Sequence, residues 1–430
     1  MSMAASPPAA AAPREAARTP SAALAAQLIV LATLVFNLVL AFINTKGFPI
    51  REIHVIAAEL ALVGGTFLLV WNRSEVFYVI AAAMGGWLVF AMAVRGQFDP
   101  KPLRDAFIPV LFYLLGRYHG SAETADRVVT ASILIVFAGA LFEWLFLDAF
   151  LEHIDVMGYY VARGSVSPFE VTGEEPGLFT SSLRHDGRSL MPFLGEHRVS
   201  SVFLEPVSLG NFAPIVFAWV LLRDRGRPLA LILKMALIGM LLVLGDARFG
   251  IYLCALVAIA YVAAPLIRPG LVFAAPFIVM MALLVYAGLN VGVPWDNSFS
   301  GRLLSSGRLM SSLDAAQAFG LAVSTVDFVD SGYASVVSQF GLPGAVALWA
   351  IYVFGAPAQT PAAWRYKLFV CAYLVLLLSI STSLLTIKTA ALLWFLAGVA
   401  GAWQPAAAAA PQPQAVPPLQ RLRTRGRRRF

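Results

Sequence analysis

The chain has 430 residues, 59% of them hydrophobic and 13% charged, with a mean hydropathy of +0.77. That balance excludes a water-soluble globular domain and makes the long apolar runs candidates for membrane spans. The net charge of +7 does not point to nucleic acid: Arg421, Arg423, Arg425, Arg427, Arg428 and Arg429 crowd the last ten residues, a pattern that suits topology and anionic lipid headgroups.

In chain order, residues 1–21 are Ala/Pro-rich and read as disordered. The apolar stretch 22–43 is too long for a signal-peptide core and lacks a cleavage site, so a retained first helix is expected. Further spans are expected near 53–71, 76–94, 102–117, 128–147, 206–222, 228–244, 249–267, 270–290, 333–355, 366–381 and 388–403, about twelve in all. The fourth is short and flanked by Arg104, Asp105 and Arg117. Residues 404–430 form a Pro/Ala-rich, Arg-rich tail, which leaves 22–403 as a single transmembrane domain. Cys254 and Cys371 fall inside apolar segments, so no disulfide framework is implied.

The positive-inside rule orients these spans. With the N-terminus inside, Arg73, Arg117, Arg127, the RDRGR turn (223–227), Arg268, Arg365, Lys367 and the tail all face the cytoplasm, together with both termini. Lys46, Arg51, Arg95, Lys101 and Arg104 fall on the other side. Two long loops, about 148–205 and 291–332, then lie outside and hold most of the polar residues. Span interiors are expected to be nearly charge-free apart from Lys234, read as snorkelling to the cytoplasmic surface, and Glu143.

Candidate site residues stand at the outer helix ends. Glu205 precedes Pro206, a proline suited to a first helical turn. Asp246 and Arg248 occupy LGDARFG, where mutual pairing explains them equally well. Arg302 and Arg308 recur in GRLLSSGRL on the second loop. Asp330 opens DSGYASVVSQFGLPG, where helix capping explains it equally well, and Lys388 lies between the last two spans. Arginines hold phosphate oxygens in a bidentate fork, and a carboxylate can accept a proton from an attacking hydroxyl. Together they suit glycosyl transfer from a lipid diphosphate, with the cations stabilising the departing diphosphate. His153, His185 and His197 lack metal-ligand spacing, so no metal and no cofactor is expected. Walker and GxSxG motifs are absent from the sequence.

Four stretches, FLEPVSLGNF (203–212), LGDARFG (244–250), GRLLSSGRL with AFGLA (301–309, 318–322) and DSGYASVVSQFGLPG (330–344), resemble motifs of the bacterial O-antigen ligases and Wzy-type polysaccharide polymerases. Within that group the likeness is nearest to the xanthan-type exopolysaccharide polymerases and covers roughly residues 22–403. The resemblance implies an all-α polytopic inner-membrane protein with GT-C-like glycosyltransferase architecture and two large periplasmic loops. It implies transfer of a growing glycan from undecaprenyl diphosphate to a fresh lipid-linked repeat unit, without a metal. The partners implied are that lipid-linked oligosaccharide, the bilayer, a chain-length regulator and export proteins, with no nucleic acid. Arg248 and Arg308 would hold the diphosphate with Arg302 assisting, and Asp330 or Glu205 would activate the acceptor. Arg184 and Arg198 of the first loop would close over the glycan, with Asp246, Tyr333 and Lys388 completing the substrate contacts. Ligases of the family carry a histidine where this chain has Asp330, which favours a polymerase over a ligase. A flippase or transporter of the lipid-linked unit is the rival outside the enzyme class, and would distribute polar residues along the spans.

Overall fold

The computed structural model describes residues 20–167, 177–184, 187–296, 298–324, 326, 328 and 331–404. The two tails, except for residues 20, 21 and 404, and Asp330 lie outside the described residues. The described chain folds as sixteen α-helices. They are α1 (Pro20–Thr45), α2 (Glu52–Val70), α3 (Glu75–Arg95), α4 (Lys101–His119), α5 (Ala122–Leu145), α6 (Leu147–His153), α7 (Val156–Ala162) and α8 (Pro206–Arg223). After these come α9 (Pro228–Leu244), α10 (Arg248–Ala263), α11 (Pro269–Leu289), α12 (Phe299–Ser311), α13 (Ala315–Ala318), α14 (Gly332–Ala350), α15 (Pro361–Leu377) and α16 (Ile387–Gly401). No strand occurs among the described residues; one isolated antiparallel bridge joins Leu183 and His197.

Eight helices are long and apolar enough to cross a membrane: α1, α2, α3, α5, α8, α10, α11 and α14. The chain is therefore an all-helical, polytopic membrane protein. The remaining four expected segments coincide with α4, α9, α15 and α16, of which α9 and α16 are apolar but 17 and 15 residues long. Local chemistry sets the boundaries. Ser74, Ser121 and Thr360 cap α3, α5 and α15 by accepting N–H groups of Phe77, Thr124 and Ala363. Prolines start α8, α9, α11 and α15, where a missing N–H costs nothing.

The core is built around α16, which is buried along nearly its whole length. It lies against α4 with backbones in contact: a Cβ on Gly116 would meet the Phe395 carbonyl oxygen at 1.9 Å, and one on Gly398 the Tyr113 oxygen at 1.9 Å. Small residues allow this approach, and dispersion along it replaces the hydrophobic drive that lipid cannot supply. In α14 the helical path breaks at Gly341, two residues before Pro343. Carbonyls freed there are taken up by α3: Trp87 Nε1 donates to Phe340 at 2.7 Å, and Arg95 to Ser338 at 2.7 Å and Gln339 at 3.2 Å.

Lys234 reaches back towards the RDRGR turn, where it pairs with Asp224 at 2.8 Å. Two expectations change. The second long loop contains a thirteen-residue helix, because FSGRLLSSGRLMS places Leu304, Gly307 and Met310 on one buried face behind a Ser298 cap. Finally, the span interiors are less bare than expected: Arg104 of α4 joins Glu59 of α2 to Asp105.

Candidate functional site

The starts of α8 and α10 meet the ends of α9 and α15 at one end of the helix bundle. The first long loop is fastened over that end. Its return segments pair through Arg184 N–H to Glu196 O (3.1 Å) and Arg198 N–H to Ser182 O (2.7 Å), which sets both arginines on one short ladder. Arg188, which the sequence did not single out, donates to carbonyls of His197 (2.7 Å), Val243 and Leu244 (3.0 Å). It thereby caps the C-terminus of α9. Val199 N–H adds a bond to Leu244 O at 3.0 Å. Glu143, fully buried on α5, accepts from the Ser200 and Ser201 N–H groups and meets His197 Nε2 at 3.0 Å. Its role is to hold the loop's return, where Ser201 takes a φ of 55°.

Beneath the loop lies a cavity of about 130 Å³ lined by Arg184, Arg198, Asp246, Arg248 and Arg302, with the first turns of α8 and α10 behind them. Among the described residues that line it, four arginines surround one carboxylate. Burial, then the neighbouring Arg184, Arg248 and Arg302, pull the Arg198 guanidinium down to about 10 against the opposing pull of Asp246. It remains charged at neutral pH. Arg198 also donates to Ser181 O at 2.8 Å and Gly245 O at 3.1 Å. Asp246 does not pair with Arg248. Its Oδ1 accepts Leu190 N–H at 2.8 Å and its Oδ2 faces Arg184 Nε at 3.6 Å. It sits at φ 46° in the tight turn, a conformation that Asp tolerates better than most residues. Arg248 makes no side-chain hydrogen bond or ion pair among the described residues, and its guanidinium is half-buried at the cavity wall.

A second source of positive potential points the same way. Arg248 opens α10 behind Ala247, which offers no capping side chain, and Phe249 and Gly250 line the cavity. Uncapped first-turn N–H groups carry the positive end of the helix dipole. The helix end is set there by contact between α8 and α10: a Cβ on Gly250 would meet Gly210 O at 2.7 Å and Leu242 Cδ2 at 2.6 Å.

The remaining predicted residues stand elsewhere. Glu205, at the N-cap of α8, is paired with Lys388 at 3.2 Å, accepts from Tyr160 Oη, and takes Ser208 Oγ at 3.1 Å. Burial pushes its carboxyl up, but Lys388, Tyr160 and Ser208 outweigh burial and hold it below the usual value. Arg308 is six residues from Arg302 on α12, so the two leave the helix on different faces. Its Nη2 donates to the carbonyls of Asn290 (2.8 Å), Val291 (3.1 Å) and Val293 (2.6 Å), which closes the end of α11. Tyr333 is buried and donates to Val375 O at 2.9 Å. The N-cap of α14 is Ser331, so the capping role open to Asp330 in the sequence is already filled. No group of three or more His, Cys, Asp or Glu with metal-binding geometry occurs among the described residues.

Arg198 is buried, and three further arginines with a single aspartate line the same cavity among the described residues, an arrangement that suits a multiply charged anion with bidentate oxygens. The cavity has room for phosphoryl groups. No family model, curated protein or solved structure matches the chain.

Proposed function

We propose that this protein is an inner-membrane polysaccharide polymerase that transfers a growing glycan from undecaprenyl diphosphate to a new lipid-linked repeat unit at the periplasmic face. The carrying observation is the convergence of Arg184, Arg198, Arg248 and Arg302 with the N-terminus of α10 on one phosphate-sized cavity. In this proposal the twelve long helices all cross the bilayer in a GT-C-like arrangement with both termini in the cytoplasm. The basic RDRGR turn between α8 and α9, at the bundle end opposite the cavity, supports that orientation.

The chemistry follows from the charges. The arginines and the helix end bind the diphosphate and stabilise the negative charge that grows on it as the glycosidic bond breaks. The acceptor hydroxyl attacks the anomeric carbon and gives its proton to a carboxylate. Glu205, held ionised with both oxygens engaged, suits the positioning of α8 better than proton acceptance, so the base is assigned to Asp330. Asp246 serves as counter-charge and as the tie between loop and turn. A transporter would carry its polar groups near the midplane, whereas the arginine cluster stands at one end of the helix bundle.

The test is the lipid-linked glycan profile of cells lacking the gene. Single repeat units on undecaprenyl diphosphate at the periplasmic face, with no polymer, are expected. Repeat units held at the cytoplasmic face would make it a flippase, and normal polymer would remove both assignments.

A further inference from the structure

A second cavity, of about 520 Å³, lies on the other side of the end of α15. Its α4 wall consists of Asp105, Pro109, Tyr113 and Arg117 with their neighbours, every fourth residue along one helix face. Three turns of helix make that stripe on the order of 18 Å long, and α3, α11 and α14 close it with almost entirely apolar side chains. The volume lies within the range of small-molecule and lipid pockets.

One polar atom in it is unexplained. Asp105 is 1% exposed, and its Oδ2 has no hydrogen-bond partner among the described residues. Arg104 does not bridge the two oxygens as an arginine fork usually does. Its Nε and Nη2 both go to Oδ1, at 2.9 and 2.8 Å, while Nη1 goes to Glu59. Glu59 and Asp105 thus share the half-buried Arg104 guanidinium, with Lys101 as a further cation near Asp105, and the oxygen left over belongs to a residue of the cavity wall. Native structures rarely leave a buried carboxylate oxygen unmet.

We propose that this cavity is a phospholipid site, in which an acyl chain lies along α4 and a headgroup ammonium donates to Asp105 Oδ2. An ammonium supplies the missing donor as a charge-assisted hydrogen bond. A headgroup without N–H or O–H groups supplies no donor, and a net anionic one brings its charge towards the Asp105 and Glu59 carboxylates. Asp105 stands one turn inside the start of α4, the depth at which a headgroup meets the apolar core.

The experiment is native mass spectrometry of the delipidated full-length protein, titrated with phosphatidylethanolamine, phosphatidylcholine and phosphatidylglycerol of identical chains. A charge-assisted hydrogen bond predicts about tenfold tighter binding of the ethanolamine lipid than of the choline lipid. In Asp105→Leu that preference falls to within about twofold, because the donor has lost its acceptor. Val336→Trp, which fills the cavity from α14 and leaves Asp105 in the sequence, weakens all three lipids together. Equal binding of ethanolamine and choline lipids, a preference that survives Asp105→Leu, or unchanged binding to Val336→Trp overturns the proposal. Parity of the glycerol and ethanolamine lipids overturns the ammonium in favour of a hydroxyl. If Asp105→Leu fails to insert, Asp105→Asn keeps an acceptor without the charge, and an undiminished preference in that variant also overturns it.

Discussion

Arg248→Ala separates a ligand-holding arginine from a structural one. Arg248 makes no side-chain hydrogen bond or ion pair among the described residues, and alanine is a good residue at the first position of α10. The fold should therefore lose no more than about 0.5 kcal/mol. Removing it also relieves the repulsion that lowers the Arg198 guanidinium. A bidentate arginine–phosphate contact consists of two charge-assisted hydrogen bonds, each worth about 1.5–3 kcal/mol. Losing about 3 kcal/mol of transition-state stabilisation slows turnover on the order of a hundredfold. Arg248→Lys keeps the charge and loses the fork, so a loss of about tenfold is expected. Arg308→Ala is the contrasting case, since it strips donors from three carbonyls at the end of α11. Its cost, about 1–3 kcal/mol, should appear in thermal unfolding and membrane level, with turnover per folded molecule unchanged. The assay is polymerisation of lipid-linked repeat units by purified protein, normalised to folded protein. Arg248→Ala turnover within threefold of wild type, or an Arg308→Ala defect confined to turnover, would refute the placement of the diphosphate.

Three further outcomes follow from particular contacts. Gly250→Ala brings a methyl to 2.7 Å from the Gly210 carbonyl and should cost about 1–3 kcal/mol in thermal unfolding, whereas Gly239→Ala, with nothing within 4 Å, should be neutral; equal melting of the two would show that the α8–α10 contact is not tight. Glu205→Gln leaves Lys388 buried without its partner and should destabilise by about 3–5 kcal/mol, while the double variant Glu205→Gln/Lys388→Met recovers most of the protein level. Because the Glu205 carboxyl lies below its usual value, its contribution is fully present above the ordinary carboxylate range and is lost only as pH falls through the lowered value. A double variant no better expressed than the single would remove the ion pair as the cause. Single cysteines at Gly226 and Ser300 should label with an impermeant maleimide from opposite faces over a low background, since Cys254 and Cys371 are buried; labelling from the same face would break the proposed topology.

Much of the helical scaffold was legible because apolar length is nearly independent of tertiary context. Each expected span coincides with a helix of at least 15 residues, and Pro206 begins α8 at the position its chemistry predicts. What could not be read was which face a charge would take. Arg302 and Arg308 look equivalent in GRLLSSGRL, yet once Ser298 nucleates α12 they leave it on different faces, and only Arg302 reaches the cavity. A signal was present in the spacing of Leu304, Gly307 and Met310 behind a serine, which is a helical pattern rather than a loop. Arg188 carried no such signal and Glu143 only its place inside a span, because their partners are mainly backbone groups of the loop's return and of the end of α9, and main-chain partners leave no mark on sequence pattern.

The same distinction explains why the site withstands its own repulsion. Arg184 and Arg198 reach the cavity from a loop tied down by Arg188, Glu143 and Asp246, Arg248 from a helix start fixed by the Gly210–Gly250 contact, and Arg302 from α12. Each cation is held by an element whose placement does not depend on the cavity being filled. Preorganisation of this kind puts the electrostatic cost into folding, so that binding an anion relieves repulsion already present. The four arginines should therefore respond unequally. Loss of Arg198 removes bonds to Ser181 and Gly245 as well as a charge, so Arg198→Ala should lower melting temperature and turnover together, whereas Arg248→Ala should lower turnover alone. Identical melting and turnover profiles for the two variants would mean that the cavity is a structural charge cluster rather than a binding site.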